Sequence, residues 1–164
     1  MPHSRIAIYP GSFDPITYGH LDIIQRGLKI FKHVIVAVAR NSQKNALFNI
    51  EERVDLIKTV LKDEPRVSVD TFTGLLIDYV ASKEAHVVIR GLRAISDFEY
   101  EFQIAQMNST IGRDIETLFM MTSVQYGYLS SSIVREVCSL GGPVDSFVPP
   151  EVKTAMQQKY GLNR

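Results

Sequence analysis

The residues best suited to chemistry lie near the start of the chain, in the segment YPGSFDPITYGH at positions 9–20. An apolar run at positions 6–8 precedes this segment and predicts a strand, and apolar residues at helical spacing follow it. The segment is therefore predicted to join a strand to the N-terminus of a helix. Backbone N–H groups at such a junction bind anions, so His20 at the helix start could contact a phosphate group directly.

His20 and two neighbours form the sharpest part of this segment. Gly19 removes a side chain where a ligand could approach closely, and Thr17 could either cap the helix or donate to a phosphate oxygen. The alternative for His20 is a histidine that only packs against the first helix or caps it. The spacing of Thr17, Gly19 and His20 favours an anion site over that alternative.

Two arginines follow the fourth predicted strand, in the run RGLR at positions 90–93. The forked donors of a guanidinium group match the oxygens of a phosphate, and two such groups are costly to place at a strand end without partners. The alternative is a pair of salt bridges to the nearby acidic residues Asp97, Glu99 or Glu101. The position of the run favours phosphate binding.

Two further polar features are predicted to face the same edge of the sheet. Three serines at positions 130–132 open a predicted helix, where one serine would be enough for capping. Their hydroxyl groups and the free N–H groups of the helix start could hold a polyphosphate tail. Lys44 lies in the polar loop at positions 40–46, whose composition is typical of a mobile cover over a site. A lone loop lysine is most often solvated. Lys44 is a candidate site residue only because its loop is predicted to lie at the same edge of the sheet.

The elements that would position these residues alternate along the chain. Helices are predicted near positions 18–31, 50–62, 75–83 and 96–108, with others starting at the serines and at Pro150. Short strands, apolar on both faces, are predicted between them at Ile6–Tyr9, Val34–Ala39, Val67–Val69, Val87–Ile89 and Leu118–Met121. This alternation predicts an α/β fold: a Rossmann-like, doubly wound, parallel five-stranded sheet with helices on both faces, in a single domain spanning residues 1–164.

Ligands of such sheets bind outside the carboxyl ends of the strands. The loops that start there are expected to surround one site, and they begin at Pro10, Arg40, Thr71, Arg90 and Thr122.

Two local patterns refine this prediction. Asn49 is suited to cap the second helix, and Glu52 falls at the position that closes a capping box. The segment FEYEF at positions 98–102 alternates like a strand, but the longer apolar series around it indicates a helix. Its surplus of aromatic residues suggests a packed surface, which could lie between subunits.

The bulk composition excludes several classes of protein. With 164 residues and 45% apolar content, the chain is expected to form a folded core. Lys plus Arg and Asp plus Glu number 18 each, which disfavours a non-specific nucleic-acid binder. A single cysteine, Cys138, is compatible with a reducing compartment, and no apolar run approaches the length of a membrane span. A cytoplasmic protein is expected.

Several common motifs are absent from the sequence. It contains no GxxxxGK(S/T) loop, no GxGxxG after the first strand, and no CxxC or HExxH pattern. No carboxylate cluster suggests a metal site on the protein. A divalent ion such as Mg²⁺ is therefore expected to arrive with a nucleotide, because it prefers phosphate oxygens and water.

The chain resembles a known enzyme family in three places. Positions 11–20, GSFDPITYGH, are similar to the (T/H)xGH signature of the nucleotidylyltransferase superfamily, and the serines at positions 130–132 are similar to its second, ISSS-type signature. The run IRGLRA at positions 89–94, followed by DFEYE at 97–101, resembles the bacterial phosphopantetheine adenylyltransferases within that superfamily. The likeness extends from Arg5 through the helix after Pro150.

This resemblance implies an activity, a metal ion and an assembly. Members transfer AMP from ATP to 4′-phosphopantetheine, giving dephospho-coenzyme A and pyrophosphate, which is a step of coenzyme A biosynthesis. They use Mg²⁺ with ATP and are typically homohexamers. The partners it implies are ATP, 4′-phosphopantetheine and dephospho-coenzyme A or coenzyme A, without nucleic acid or membrane.

The resemblance also implies roles for individual residues. It assigns catalysis to His20, Lys44 and Arg93, and contacts with the pantetheine substrate to Ser12, Lys44, Leu76 and Arg90. It assigns contacts with ATP to Ser12, Phe13, Thr17, His20, Gly91, Leu92, Arg93, Glu101, Tyr126, Gly127, Tyr128, Leu129, Ser130, Ser131 and Ser132. It implies no metal ligand on the protein.

Three other functions share part of the pattern. A nicotinate mononucleotide adenylyltransferase or a glycerol-phosphate cytidylyltransferase would share the first motif, but the RGLR run with Glu101 in so short a chain favours the pantetheine enzyme. A non-catalytic sensor of ATP or coenzyme A would not need His20, Lys44 and Arg93. A tRNA synthetase fragment would be expected to carry an anticodon-binding extension.

Overall fold

The computed structural model describes residues 6–40, 45–93, 95–112 and 114–162. Five strands and six α-helices alternate along it, as the sequence predicted. The strands are β1 (Ile6–Gly11), β2 (His33–Ala39), β3 (Val67–Phe72), β4 (Val87–Leu92) and β5 (Glu116–Met121). The helices are α1 (Tyr18–Gly27), α2 (Ile50–Val60), α3 (Leu76–Ser82), α4 (Ile95–Ile111), α5 (Ser131–Ser139) and α6 (Pro150–Lys159), with a short 3-10 turn at Val124–Tyr126.

The sheet is parallel throughout, with the strand order β3-β2-β1-β4-β5. The chain builds outward from β1 to β3, then returns to the other side of β1 for β4 and β5. The direction of winding therefore reverses between β1 and β4. This reversal confirms the predicted doubly wound, Rossmann-like fold, and it separates the loops that leave the carboxyl ends of β1 and β4.

Both faces of the sheet are covered, as predicted. Along β2, Val34 and Val36 enter one buried cluster and Ile35 enters another, since successive side chains of a strand point to opposite faces. The first cluster contains residues of α1, α2, α5 and α6, and the second contains residues of α3. Burial on both faces explains why the strands are apolar without alternation.

Helix ends follow the local capping chemistry. The predicted capping box at α2 is present, with the Asn49 N–H donating to Glu52 and the Glu52 N–H donating to Asn49, at 2.9 and 2.8 Å. Pro150 is the first residue of α6, also as predicted. None of the helices in the described ranges is both long enough and apolar enough to cross a membrane.

Two predictions of helix extent differ from the structure. The first helix ends at Gly27 rather than at residue 31, and Ile30 and Phe31 donate backbone bonds of 2.9 and 2.8 Å to the Gly27 carbonyl in a turn. The apolar spacing continues beyond the end of the helix because Leu28 and Phe31 also pack in the core, and this spacing led to the longer prediction. The aromatic segment at 98–102 is helical, as predicted, and belongs to α4, which is longer than expected.

Candidate active site

A cleft of about 520 Å³ opens at the carboxyl ends of the central strands, where the winding reverses. Pro10 and Arg90, in the last turns of β1 and β4, and Thr122, directly after β5, line it as the sequence predicted, although the first two still belong to the strands. Arg40 and Thr71, where the predicted loops after β2 and β3 begin, are not among the described residues that line it. Arg40 instead donates from Nε to the Thr71 hydroxyl over 3.1 Å, outside the cleft lining. The lining formed by the described residues therefore centres on the crevice between β1 and β4.

Most of the predicted site residues meet in this cleft. Those that line it are Ser12, Phe13, Thr17, His20, Arg90, Gly91, Arg93, Glu101, Leu129, Ser130, Ser131 and Ser132. Others lie outside its lining, namely Leu92, Tyr126, Gly127 and Tyr128, together with Leu76, which packs against the second core cluster. Lys44 and positions 41–43 of the loop that was predicted to cover the site fall outside the described residues.

Thr17 and His20 form a capping box at the start of α1. The Thr17 hydroxyl accepts from the His20 backbone N–H, and the Thr17 backbone N–H donates to Nδ1 of His20 over 3.0 Å. An amide N–H can only donate, so Nδ1 carries no proton and the neutral ring carries it on Nε2. His20 thus caps the helix with Nδ1, which is the capping role considered above as the alternative to anion binding. Its Nε2–H remains available as a donor to the cleft.

The surroundings of His20 favour this neutral form. Burial, followed by the charges of Arg93 and Arg90, lowers the pKa of His20 from 6.5 to about 4. The ring meets Phe13 edge-on, with ring centroids 4.9 Å apart. At neutral pH the imidazole is therefore a fixed, uncharged hydrogen-bond donor rather than a proton carrier.

Arg90 is held in place by acidic and carbonyl oxygens. Its Nε donates over 2.7 Å and its Nη2 over 2.5 Å to the Glu101 carboxylate, while Nη1 donates over 2.9 Å to the Pro10 carbonyl. Arg90 therefore forms the salt bridge with Glu101 that was the alternative to phosphate binding. The guanidinium still lines the cleft, with 30% of the side chain exposed.

Arg93 is paired more loosely. Its Nε donates over 3.2 Å to Asp97, one helical turn further along the chain, and its Nη1 donates over 3.2 Å to the Leu129 carbonyl. Of the three acidic residues considered from the sequence, Glu101 and Asp97 are the partners. Because Arg93 contacts both the α4 start and the segment before α5, it connects two walls of the cleft.

The three serines at the start of α5 have different partners. Ser130 is the N-cap, and its hydroxyl accepts from the Ile133 N–H over 3.2 Å. Ser131 donates over 2.7 Å to the Pro15 carbonyl, which fastens α5 to the first loop. The Ser132 hydroxyl is 3.5 Å from an Arg135 nitrogen. Capping by Ser130 is therefore confirmed, and it leaves the helix N-terminus facing the cleft.

Asp14 is a buried anchor to which the sequence analysis gave no role. Its two carboxylate oxygens accept from the backbone N–H groups of Leu47 and Phe48, each over 2.9 Å. Arg53 and Arg135 lie 3.6 and 3.5 Å from the same carboxylate. Only 1% of Asp14 is exposed, so this network ties the first loop to the segment before α2 and to α5.

Tyr9 and Arg135 also line the cleft without having been assigned a function from the sequence. Weak signals were present. Arg135 lies four residues after Ser131, on the same face of α5. Tyr9 is two residues before Gly11, so both belong to the same face of β1.

The donor set in the cleft is suited to anionic oxygens. Guanidinium groups, a neutral imidazole N–H and two helix N-termini converge on one space. The carboxylates that line the cleft, Asp14, Asp97 and Glu101, are all bound to arginines. None of these three is placed as a free general base, so the arrangement can position phosphate groups and stabilise negative charge.

The described ranges contain no group of three or more His, Cys, Asp or Glu residues that could hold a metal ion. This donor set does not fit a metal caged by the protein. It is compatible with an ion whose ligands are the oxygens of a bound nucleotide and water.

Comparison with known proteins gives one consistent result. Residues 8–137 match the model of the family described as cytidylyltransferase-like. The chain is 69% identical over 160 residues to a phosphopantetheine adenylyltransferase of Geobacter metallireducens, with 98% of each chain covered. It is 71% identical over 157 residues to the phosphopantetheine adenylyltransferase of Geobacter sulfurreducens, with 96% of each chain covered. It is 52% identical over 158 residues to the phosphopantetheine adenylyltransferase of Moorella thermoacetica, with 96% of this chain and 99% of the relative covered.

The fold is also found among solved structures. A Plasmodium falciparum nicotinic acid mononucleotide adenylyltransferase, complexed with APC, aligns with a TM-score of 0.66 at 16% identity, over 98% of this chain and 97% of that one. At that identity the likeness concerns the fold alone. It agrees with the doubly wound α/β fold.

Proposed function

This chain belongs to the phosphopantetheine adenylyltransferase family, and we infer that it transfers AMP from ATP to 4′-phosphopantetheine, giving dephospho-coenzyme A and pyrophosphate. One observation supports this activity most directly. A single cleft collects the first motif, the arginine run and the serine-rich helix start, although more than 100 positions of sequence lie between His20 and Ser130.

The reaction proposed is a direct in-line displacement at the α-phosphorus of ATP. The nucleophile is the phosphate of 4′-phosphopantetheine, which is already anionic at neutral pH. A general base on the protein is then unnecessary, and the carboxylates of the cleft are accordingly paired with arginines. The protein contributes positioning and stabilisation of charge.

We assign the binding of the attacking phosphate to Lys44 and Arg90. The bonds from Arg90 to Glu101 and Pro10 fix its guanidinium at the cleft wall before a substrate arrives. Lys44 is assigned by resemblance alone. Ser12 and Leu76 complete the proposed pantetheine contacts, although Leu76 lies outside the cleft lining.

We assign stabilisation of the transition state to Nε2 of His20 and to the N-terminus of α1. A neutral imidazole N–H that is held in place donates to developing negative charge without reorganising. Arg93 and the start of α5 are proposed to hold the departing pyrophosphate, since both face the same cleft. No covalent enzyme intermediate is involved.

The remaining nucleotide contacts follow the family resemblance. They comprise Ser12, Phe13, Thr17, Gly91, Leu92, Glu101, Tyr126, Gly127, Tyr128 and Leu129. We propose that Mg²⁺ enters as part of the MgATP substrate, where it neutralises phosphate charge.

We further propose that the protein works in the cytoplasm as a homohexamer. Helix α4 leaves a large apolar surface uncovered, with Phe98, Tyr100, Met107 and Ile111 exposed by 43, 66, 59 and 53%. Such a face is typical of an interface between copies of one chain. Light scattering in solution would test the proposed hexamer, and a monomeric mass would contradict it.

The single cysteine fits the reducing compartment in which we propose that the protein works.

One assay tests the proposed activity. The protein is incubated with ATP, Mg²⁺ and one candidate acceptor at a time, and pyrophosphate release is measured. Release with 4′-phosphopantetheine, and not with nicotinate mononucleotide or glycerol 3-phosphate, is expected. Release with either of the other acceptors, or none with 4′-phosphopantetheine, would refute the assignment.

A further inference from the structure

Tyr9 lines the cleft, yet the proposed function makes no use of its hydroxyl group. The residue is only 6% exposed and belongs to the core cluster that packs between the sheet and α1. Its ring meets Phe13 edge-on, with ring centroids 5.3 Å apart. Packing therefore fixes the ring at the wall of the cleft.

The Tyr9 hydroxyl has no hydrogen-bond partner among the described residues. Every side-chain nitrogen or oxygen that is sealed from solvent in those residues does have a partner. The hydroxyl is therefore not sealed, and the cleft is the space it opens to. A nearly buried hydroxyl without a protein partner is costly to keep unless a ligand supplies one.

The neighbours of this hydroxyl indicate the class of ligand. A Cβ atom at Gly91 would lie 3.9 Å from the Tyr9 hydroxyl oxygen, which places that oxygen close to the backbone of β4 at Gly91. The His20 ring centroid lies 6.4 Å from that of Tyr9, and the charges of Arg90 and Arg93, then those of Glu101 and Asp22, act on the phenol. Because Glu101 is bound to Arg90 and Asp22 to Arg26 and Ser123, the arginines and the His20 donor still favour an anionic oxygen at this place.

The hydroxyl keeps its proton under physiological conditions. Burial raises the pKa of Tyr9 well above its ordinary value, by more than Arg90 and Arg93 lower it. The phenol is therefore available as a hydrogen-bond donor at neutral pH.

We propose that Tyr9 is a further substrate-contacting residue, whose hydroxyl donates a hydrogen bond to an anionic phosphoryl oxygen of the bound nucleotide. This inference rests on the proposed function and adds one donor to it. Because the ring is held by the core, the donor is in place before the nucleotide binds, as for other preorganised donors of a charged site.

The substitution Tyr9→Phe tests the proposal, since it removes the hydroxyl and retains the ring that packs in the core. We expect kcat/KM for ATP to fall roughly tenfold to hundredfold, the effect of losing one hydrogen bond to a charged group. The midpoint of urea unfolding should stay the same or rise, because no protein partner loses a bond. Tyr160→Phe is the matched control, as Tyr160 is partly buried against the same core cluster but lies outside the cleft lining.

The outcomes separate this inference from the proposed function. If the parent protein releases no pyrophosphate with 4′-phosphopantetheine, the proposed function itself fails. If the parent is active and Tyr9→Phe matches it and the control within about twofold, the contact with the nucleotide is refuted. A lower unfolding midpoint for Tyr9→Phe would also refute it, because the hydroxyl would then serve the fold.

Discussion

The backbone N–H of Thr17 donates to Nδ1 of His20 over 3.0 Å, and this single bond decides which nitrogen of the imidazole carries the proton. The same bond closes the capping box that starts α1. Helix capping and orientation of the donor are therefore one arrangement. A residue that looked from the sequence like either a cap or a phosphate ligand is placed to be both.

Replacing His20 with alanine should lower kcat by about 10²- to 10³-fold, because a preorganised donor to transition-state charge is lost. ATP binding, measured by calorimetry, should persist. His33→Ala is a suitable control, since His33 starts β2 and contacts Ser68 outside the cleft. Near-normal turnover of His20→Ala would show that the assigned role is wrong.

The stability of the protein should decrease as the pH falls from about 6.5 to about 4, in part through His20. The folded state holds the neutral imidazole, with a pKa of about 4, whereas the unfolded chain takes up a proton near pH 6.5. The unfolded state therefore binds more protons within this window and gains in population.

Urea unfolding over that pH range should show a steeper loss for the parent than for His20→Gln, which cannot titrate. The variant His33→Gln, which removes a different histidine and leaves His20 in place, serves as the control. Equal slopes for the parent and His20→Gln would contradict the lowered pKa of His20.

Glu101→Gln should raise the KM for 4′-phosphopantetheine about tenfold, because Arg90 loses the carboxylate that accepts two of its donors. Steady-state kinetics with each substrate varied in turn would measure this. Glu99→Gln, at an exposed position of the same helix, should behave as the parent. A larger effect on the KM for ATP would instead support the direct nucleotide contact that the family resemblance implies for Glu101.

Asp14→Asn should destabilise the fold by about 3–5 kcal/mol, the usual cost of removing one partner from a buried ion pair. The amide leaves Arg53 without its buried countercharge, and its NH2 group opposes one of the two backbone N–H donors, which then has no acceptor. Urea unfolding would measure the change against Asp55→Asn, an exposed position on α2. A loss no greater than that of the control would be inconsistent with the anchoring role.

Lys44→Ala should impair the use of 4′-phosphopantetheine more than the binding of ATP, since we assign this lysine to the attacking phosphate. The KM for 4′-phosphopantetheine and the dissociation constant for ATP are the two quantities to compare. Lys58→Ala, on the exposed side of α2, is the control. An equal loss for both substrates would count against the assignment.

The fold was largely predictable because its signals are local. Apolar runs, the capping box of Asn49 and Glu52, and Pro150 each act within a few residues, and each element appears where these signals placed it. The predicted end of α1 was wrong because Leu28 and Phe31 reach the core from a turn, as they also could from a longer helix. Burial produces the apolar pattern, and a turn can satisfy the same burial.

The composition of the cleft was predictable only in part. The sequence identified His20, Arg90 and the serines, since their types and positions at strand and helix ends indicate anion binding. It favoured phosphate binding over a salt bridge for Arg90 and could not show the bond to Glu101, because Glu101 is brought to Arg90 only by the packing of α4 against β4. Nor did it indicate Asp14, whose partners Leu47 and Phe48 lie more than 30 residues away.

Residue types and short spacings were enough to establish the elements, the family and the identity of the donors. The tertiary structure was needed to establish which described residues share the cleft, which nitrogen of His20 carries the proton, and that the Tyr9 hydroxyl lacks a partner among the described residues. Those properties depend on distances between groups that are remote in the chain. Such distances are set by the order of strands in the sheet and by how helices pack on it.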